Sequence, residues 1–519
     1  MKRQVLLVSL FVATWTPHCL LAAGERQSPD PTVLAAEIDR LVGEKLKANH
    51  IPAAPRADDA AFFRRLNLVL GGRVPVPSEV RTFLADESPD KYRLAVQRLL
   101  ASAAFVNHMT TSWRGWLLPE AVTSLEAANA VPAFETWLRG RIRDEVAFQR
   151  IVAELLTYPL NGRLDGEDGT GPLAFYTAKE GKPENLAAAT ARVFLGVRLE
   201  CAQCHDHPFA RWRRDQFWGL AAFYGGVERP SGGALRETLG RRELLVPNSD
   251  RAVPATFLDD REPEWQYKKS PRVTLAAWLT RPDNPFFARA IVNRLWSLVF
   301  GIGLVDPVDD FHDKNPPSHP ELLDALARAF VASGYDIKFL LGAICASETF
   351  ARASDGKDRE RQDVRLFARY PVQALSPEQL YDSFAVVLGE RSDGTAGQVL
   401  QALGTPRRQF LETFAVTDRL TEAPTTILQA LTLMNGSQVG GATSLASSRL
   451  LGAVLKLPGL TPTERIGALY LTVLSRPPRP RERALALKHV GVGGPEQVDP
   501  RYADLLWALL NGVEFRTNH

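Results

Sequence analysis

Apolar residues recur at every third or fourth position through most of the chain, which is the spacing that predicts amphipathic α-helices. The first such helix covers positions 33–46, and the same spacing recurs at 94–100 and 322–330. Alternating apolar and polar positions, which are typical of a half-buried strand, are scarce, and the best example is 243–247. The pattern therefore predicts a mostly α, multi-helical protein with a small β or loop element near residues 225–260.

Several helix starts are also predicted from the pairing of serine with proline. A serine oxygen accepts a hydrogen bond from a free N–H of the first helical turn, and a proline in that turn needs no acceptor. We therefore expect serine caps in three segments: Ser88-Pro89, Ser318-His319-Pro320-Glu321 and Ser376-Pro377-Glu378.

One sequence pattern, L-x-L-x-[LV]-x-x-R-x-P-x-P-x-E, occurs at residues 66–79 and again at 469–482. It predicts a helix that ends before a proline-containing turn, followed by a new helix with the glutamate in its first turn. We expect the first helix of each copy to end before Pro75 and Pro478, and the arginines of the two copies to have matching surroundings. The repeat is interpreted as architecture, with two equivalent helical hairpins that pack against each other.

The amino-acid composition limits the kinds of binding partner and of cross-link that are expected. The chain has 519 residues, 62 Lys plus Arg against 59 Asp plus Glu, and a net charge of +3. So small a net charge on a chain of this length does not predict nucleic-acid binding. With only 4 cysteines, the fold depends on buried apolar area and is not held by disulfides.

The N-terminus predicts export. Lys2 and Arg3 precede an apolar run at 5–13, and small residues at 22–23 offer a cleavage site. This layout is that of a signal peptide, assigned to residues 1–23, and it directs the chain to a periplasm or equivalent extracytoplasmic space. No later segment approaches the roughly 20 apolar residues that a membrane span needs, so the mature chain should have no transmembrane segment.

Composition shifts suggest two parts after the signal peptide. The stretch from 230 to 254 is rich in glycine, arginine and proline, whereas strongly helical patterns precede and follow it. We therefore predict a helical domain at 30–228, a linker with a small β element at 229–262, and a second helical domain at 263–519.

The segment Cys201-Ala202-Gln203-Cys204-His205 carries the strongest chemical signal. C-x-x-C-H is the attachment signature of c-type haem. Each thiol forms a thioether with one vinyl group of the macrocycle, and the adjacent histidine is placed to ligate the iron. Haem is attached outside the cytoplasm, so the motif and the signal peptide support each other. The motif predicts one haem c, bound by Cys201, Cys204 and His205.

Two alternative interpretations of the motif remain open. Cys201, Cys204, His205 and His207 are suitable ligands for zinc, although such sites usually draw a second ligand pair from a distant segment. The two thiols could also form a redox disulfide, although that motif is expected in a βαβ context and here follows a helical pattern. Cys345, on an apolar helix pattern, is interpreted as a small core residue.

At this point the chain resembles a known family. The segments V-F-L-G-V at 193–197, C-A-Q-C-H-D-H-P-F at 201–209 and F-W-G-L-A-A-F at 217–223 are similar to the planctomycete cytochrome-c-like domain of unknown function. Arg64-Arg65 resembles the opening of that domain. The second half resembles the planctomycete-specific domain that follows it, on residues that include P-D-N-P-F at 282–286.

The resemblance implies export and a haem link, but it supplies no reaction, because the family is uncharacterised; whether the protein is an enzyme stays open. A chain of 57.3 kDa is too large for the small cytochrome c fold. We expect an electron-transfer or redox-support role with an unidentified redox partner protein. The alternative is a binding or scaffolding module in which the Cys/His cluster is structural.

Candidate residues around the haem follow from the chemistry of its charged edge and of iron. Arg211 and Arg214 could pair with the propionates. A low-spin iron needs a second strong ligand from a distant segment, and His319 is favoured over Met434 as that ligand; an open or water-filled position is the alternative to both. The polar stretch 306–321 is interpreted as turn chemistry, not as a calcium site.

Overall fold

The computed structural model describes residues 30–161, 171–208, 210–230, 233–247, 249–259, 261–355, 363–390, 406–415, 426–492 and 495–519. The predicted signal peptide at 1–23 lies outside these residues. The prediction of a mostly helical fold is confirmed, and in the described ranges no helix combines the length and the apolar character that crossing a bilayer requires.

The helices of the N-terminal half begin at side-chain caps or at prolines in most cases. Asp30, for example, accepts from the Thr32 amide at 2.9 Å and so caps the first helix, whose apolar positions are those read from the sequence. These helices are α1 (Pro31–Ala48), α2 (Asp59–Leu66), α3 (Pro77–Ala85), α4 (Lys91–Leu100), α5 (Ala103–Leu117), α6 (Leu125–Arg143), α7 (Phe148–Thr157), α8 (Leu173–Ala178), α9 (Pro183–Thr190) and α10 (Arg214–Ala222).

Short segments of other helix types connect some of these. A π-helical turn continues α2 and another continues α9, and each is followed by a glycine in the left-handed conformation. The π-helical turns are Asn67–Gly71 and Ala191–Leu195, and the 3₁₀ turns are Pro119–Val122, Glu200–Gln203 and Val364–Leu366.

The small β element lies where it was predicted. It consists of two antiparallel hairpins, β1 (Val227–Glu228) with β2 (Arg236–Glu237) and β3 (Glu243–Leu245) with β4 (Ala252–Pro254). A third antiparallel pair joins distant parts of the chain: β5 (Gln373–Ala374) with β6 (Thr517–Asn518).

The remaining helices form the C-terminal half. They are α11 (Pro271–Leu279), α12 (Phe287–Phe300), α13 (Pro320–Ala332), α14 (Ile337–Ala346), α15 (Glu348–Ala351), α16 (Pro377–Leu388), α17 (Pro406–Thr413), α18 (Ile427–Asn435), α19 (Ser437–Thr443), α20 (Arg449–Lys456), α21 (Pro462–Leu474), α22 (Pro480–Val490), α23 (Pro495–Asn511) and α24 (Val513–Arg516).

Two hydrophobic cores organise the packing. The larger core collects buried residues between 34 and 370, and the smaller one collects residues between 375 and 515 together with Leu68 and Val74. The predicted linker at 229–262 contributes side chains to the larger core. Its buried apolar residues are part of that core: Leu244, Val246, Val253, Ala255, Phe257 and Leu258.

A buried ion pair fastens the β element to the helices. The side chains of Arg272 on α11 and Glu237 on β2 are 1% and 5% exposed. Arg272 Nε donates to Glu237 Oε1 at 2.9 Å, while Nη1 donates to the Leu156 and Tyr158 carbonyls and to the Tyr176 hydroxyl. Because these bonds reach α7, α8 and α11, the guanidinium ties three helices to one hairpin.

The two copies of the sequence repeat have the same backbone course. The first helix of each copy ends before its proline turn, at a left-handed residue, Gly72 (φ 71°) or Ser475 (φ 58°). The next helix begins at the equivalent proline, Pro77 or Pro480. The carboxylate of Glu79 or Glu482 accepts a hydrogen bond from the backbone amide of the residue before that proline. The predicted hairpin equivalence is therefore confirmed for the backbone.

The arginines of the two copies differ, so that part of the prediction is wrong. Arg476 is bound by Glu482 and Glu514 through four hydrogen bonds, whereas the bond recorded for Arg73 goes to the Val74 carbonyl. The reason is that the Glu514 carboxylate of α24 lies beside the second copy, where it accepts from Arg476. The two hairpins do meet, because Leu68 and Val74 lie in the core that α21 helps to form.

Serine caps occur at only one of the three predicted starts. Ser376 accepts from the Gln379 amide and caps α16. Helix α4 begins at Lys91, because Ser88 closes a turn by accepting from the Asp90 amide. Helix α13 has His319 at its cap position, so the prediction for that start is off by one residue.

Candidate functional site

The chain enters the C-x-x-C-H segment through a tight bend at Gly196. Its φ of 69° is left-handed, and a Cβ there would lie 2.7 Å from Cδ2 of Phe311 and 3.2 Å from Cβ of Ala290. Only glycine fits both the backbone angle and the space. The bend ends the π-helical turn after α9 and directs the chain into the 3₁₀ turn that carries Cys201.

The turn itself presents its chemistry outward. Cys201, Cys204 and His205 are exposed, whereas Ala202 between the two cysteines is fully buried in the larger core. Both cysteines are free thiols. One apolar residue thus anchors the motif, and its three reactive side chains face solvent.

Helix α10 holds the turn in place. Trp218 Nε1 donates to the Gln203 carbonyl at 3.1 Å, and the Arg214 side chain donates to the same oxygen at 3.4 Å. Asp206 Oδ1 accepts from the Arg214 backbone amide at 2.8 Å and so satisfies a free N–H at the start of α10. The motif is therefore a fixed turn, held at its middle and at its end.

The hydrogen bond of His205 defines its tautomer. Nδ1 lies 2.7 Å from the Asp206 carbonyl oxygen, which can only accept. Nδ1 of the neutral ring therefore carries the proton, and Nε2 keeps its lone pair. Histidines that ligate metals show this arrangement, in which the second nitrogen donates to a carbonyl and orients the ring.

Two neighbouring histidines have the opposite tautomer. His207 Nδ1 accepts from the Ala210 amide at 3.0 Å, and His312 Nδ1 accepts from the Lys314 amide at 3.2 Å. When neutral, each carries its proton on Nε2. Of the three, His205 alone presents an Nε2 lone pair.

The structure brings the acidic stretch 306–321 against the motif. Arg198 Nε binds Asp309 Oδ1 at 2.7 Å, and the Phe311 amide donates to the Gly196 carbonyl at 3.0 Å. Burial lowers the pKa of His207, whose further electrostatic neighbours include Asp310, His312 and His205. Two polar segments that are about a hundred residues apart in sequence thus form one site.

A cavity of about 770 Å³ lies between the 306–321 stretch and residues 211–216, which follow the motif; Cys201, Cys204 and His205 do not line it. Aromatic and proline side chains form much of its wall, with Trp212 buried beneath Arg211 and its ring 6.1 Å from that of Phe286. Three guanidinium groups lie at the cavity against two carboxylates. The lining residues are Arg211, Trp212, Arg213, Gln216, Leu258, Asp259, Pro285, Phe286, Arg289, Phe311, His312, Asp313, Asn315, Pro316 and Pro317.

The two predicted arginines have different positions. Arg211 is exposed and lines the cavity, with its guanidinium carbon 5.4 Å from the Trp212 ring centroid. Arg214 is half-buried, and both its backbone and its side chain hold the motif turn. Arg211 is therefore free to meet a ligand, whereas Arg214 positions the turn.

His319 lies in a different environment. It is 3% exposed, its ring centroid is 5.6 Å from that of Phe367, and burial lowers its pKa to about 4. Nδ1 lies 3.1 Å from the Ser318 hydroxyl, and Nε2 is buried without a hydrogen-bond partner among the described residues. None of these contacts involves Cys201, Cys204 or His205.

The remaining sulfur atoms have simpler roles. Cys345 is 1% exposed, and burial raises the pKa of its thiol, as a core residue requires. Met434, the less favoured ligand candidate, lies on α18 and is 47% exposed, although its place in an apolar helix pattern is typical of a core residue. Sequence periodicity could not show this, because the apolar face of α18 does not pack fully against the smaller core.

The residues at the motif fit a c-type haem. Two exposed free thiols and an imidazole with its Nε2 lone pair outward are the groups that attachment and iron ligation require. The nearby cavity adds aromatic walls and arginines. For the zinc reading, no three His, Cys, Asp or Glu side chains in the described ranges come together as metal ligands.

The cavity and the hydrogen bonds through which α10 holds the motif turn were not predicted from the sequence. Trp212, Phe286 and Phe311 come from three segments, and no local pattern links them. The contact of Asp206 also lacks a local signal, because this residue lies eight positions before the amide of Arg214 that it accepts from. No sequence signal indicates Arg289.

Two family models match the chain. Residues 37–229 match PSCyt2, a protein of unknown function (DUF1549), and residues 271–410 match PSD1, a protein of unknown function (DUF1553). No curated protein and no solved structure matches. The motif lies in the first match, and the loop that packs on it lies in the second. The chain belongs to the planctomycete family of two-domain proteins in which a PSCyt2 domain is followed by a PSD1 domain.

Proposed function

We propose that this chain is an exported c-type haem protein that serves electron transfer or redox support of a process outside the cytoplasm. Cys201 and Cys204 would hold the macrocycle through thioethers, and His205 would ligate the iron. The bound haem supplies one-electron chemistry at this surface. The redox partner would be another protein, since the thiols and His205 face solvent.

The observation that carries the proposal is the tautomer of His205. Its Nδ1–H donates to the Asp206 carbonyl at 2.7 Å, so the lone pair of Nε2 is available for a metal. The histidines nearest to it, His207 and His312, use Nδ1 as an acceptor. The histidine that the sequence motif selects is thus the one whose hydrogen bonding would suit a ligand to iron.

The cavity beside the motif supports the proposal through its chemistry. An apolar macrocycle with two carboxylates favours a site with aromatic walls and guanidinium groups at the edge. Trp212, Phe286 and Phe311 supply the walls, and Arg211 lies where a propionate could be paired. Arg214 instead supports the turn, so its replacement should loosen the motif and not only change the charge.

The test is attachment itself. The full chain is produced in an exporting host with haem-attachment machinery, and the product is analysed by pyridine haemochrome spectrum, intact mass and acid-acetone extraction. We expect one covalent haem that resists extraction. The double variant Cys201→Ser with Cys204→Ser should lose it, whereas Cys345→Ala, which changes the buried third thiol, should retain it.

Other outcomes separate the alternatives. Stoichiometric zinc without haem in natively purified protein would overturn the proposal and favour a structural metal site in a binding module. A Cys201–Cys204 disulfide without haem, seen as the loss of two hydrogens and of reactivity towards thiol reagents, would also overturn it.

A further inference from the structure

A second cavity, of about 520 Å³, lies where the two repeat hairpins meet. It is separate from the motif, and its walls come from α2, from the turn after α21, from α24 and from the segment after α15. The lining residues are Pro55, Arg56, Ala57, Asp58, Ala61, Arg64, Arg65, Ala353, Ser354, Asp355, Val372, Leu474, Arg476, Arg479, Val513, Glu514, Thr517 and His519.

Arg64 enters this cavity with its charge almost unopposed. It is 2% exposed, and its Nη atoms donate to the main-chain oxygens of Val473, Glu514 and Phe515 at 3.0–3.1 Å. Its Nε is buried without a hydrogen-bond partner in the described part of the chain. Carbonyl dipoles satisfy some of the donors but do not neutralise the cation.

Its neighbour Arg65 repeats the arrangement. It is fully buried and stacks on Tyr370, with its guanidinium carbon 3.8 Å from the ring centroid. Its hydrogen bonds go to the main-chain oxygens of Phe350, Arg352 and His519. Within the described ranges, its Nη2 has no acceptor.

A third donor completes the set. Ser354 is 8% exposed, and its Oγ is buried with no partner among the described residues. A buried donor without an acceptor is unfavourable, so an acceptor that binds at this cavity would be stabilised by the three donors.

The charges around the cavity favour an anion. Five arginines line it, of which Arg56 is paired with Glu348 and Arg476 with Glu482 and Glu514. Three carboxylate side chains also line it. Of these, Asp58 already caps α2 through the Ala61 amide at 2.8 Å, and Glu514 is bound to Arg476. Burial lowers the pKa of Arg64 to about 10, which still leaves it charged at neutral pH.

We propose that this cavity binds a phosphate- or sulfate-type oxyanion, held by the side chains of Arg64, Arg65 and Ser354, with Arg479 at the rim. A tetrahedral anion offers acceptors in several directions, which suits donors from three separate segments. The volume leaves room for an organic group, so the oxyanion is either free or part of a small ligand. Binding would join the two hairpins of the repeat.

The test is calorimetric titration of the full chain with inorganic phosphate, inorganic sulfate and glycerol 3-phosphate, at constant ionic strength maintained with chloride. We expect saturable binding and a rise in the thermal midpoint with ligand concentration. Ser354→Ala should weaken the affinity by about tenfold or more, because it removes one hydrogen bond to a charged group. Arg479→Ala should weaken it less, since its side chain is exposed.

The matched control is Arg483→Ala, which removes the same charge from the same helix, α22, at an exposed position that does not line the cavity. It should leave the affinity unchanged. Equal weakening in Arg479→Ala and Arg483→Ala, or the absence of saturable binding of all three probes, would overturn the proposal. Tighter binding of glycerol 3-phosphate than of phosphate would identify an organic ligand as the source, and equal binding would identify the free ion.

Discussion

Replacement of Glu237 by alanine is expected to be among the most destabilising single changes in this protein. The substitution removes the carboxylate that faces Arg272 and leaves a guanidinium that is 1% exposed without an anionic partner. It also frees the Ser270 hydroxyl, which donates to Glu237 Oε1. The β element would then lose its charged link to α11.

The magnitude follows from the geometry. At an Nε–Oε1 distance of 2.9 Å and an effective dielectric constant of about 20, the attraction between the two charges is roughly 6 kcal/mol. The desolvation of both ions offsets much of this in the intact pair. With one partner removed, the desolvation of the guanidinium remains, so we expect a loss of about 3–5 kcal/mol in the free energy of unfolding.

The assay is urea unfolding at neutral pH, followed by circular dichroism and tryptophan fluorescence. The double variant Glu237→Leu with Arg272→Met should recover most of the loss, because it leaves no buried charge. Glu44→Ala, which breaks an exposed ion pair with Arg40 at 2.8 Å, serves as the control and should change the free energy by less than about 0.5 kcal/mol. A loss below about 1 kcal/mol for Glu237→Ala would refute the reasoning.

Three further outcomes are expected. Gly196→Ala should destabilise the fold by about 2–3 kcal/mol in the same urea assay, because of its left-handed backbone and its contact with Phe311, whereas Gly467→Ala, in a helix with free space around it, should be neutral or stabilising. Burial lowers the pKa of His108 to about 4, so the unfolded chain binds a proton that the folded one rejects; stability should fall as pH drops from about 6.5 to 4, and His108→Gln should flatten that slope. If His319 is the sixth iron ligand, His319→Ala in the haem-loaded protein should convert the ferric spectrum from low to high spin; an unchanged spin state would exclude it.

Local patterns predicted the fold well wherever local physics decides. The apolar spacing of α1, the proline turns of the repeat and the strands near 225–260 each depend on a few neighbouring residues. The position of α4 and the cap of α13 differed from expectation, because serine has competing partners in short turns. The division between the cores could not be predicted, since it depends on which distant side chains are buried together.

Part of the candidate site could likewise be predicted from the sequence, and part could not. The spacing of Cys201, Cys204 and His205 is a local feature and is visible in the sequence. Other features depend on atoms that the fold brings together from segments near 203, 286 and 311, and no periodicity encodes them. They are the histidine tautomers, the hydrogen bonds from α10 to the motif turn, and the cavity. For the same reason the sequence could not separate the role of Arg211 from that of Arg214.

The packing of the first repeat hairpin into the smaller core has a consequence for how the chain folds during synthesis. Leu68 and Val74 lie in a core otherwise built from residues 375–515, and Arg64 bonds to a carbonyl 409 residues further along. During vectorial synthesis, the first hairpin must therefore wait for almost the whole chain before it can bury its apolar side. A PSCyt2 segment produced alone would expose these side chains, which makes it prone to aggregation. The segment from residue 375 onward, most of which lies beyond the second family match, acts in this sense as a folding partner built into the same polypeptide.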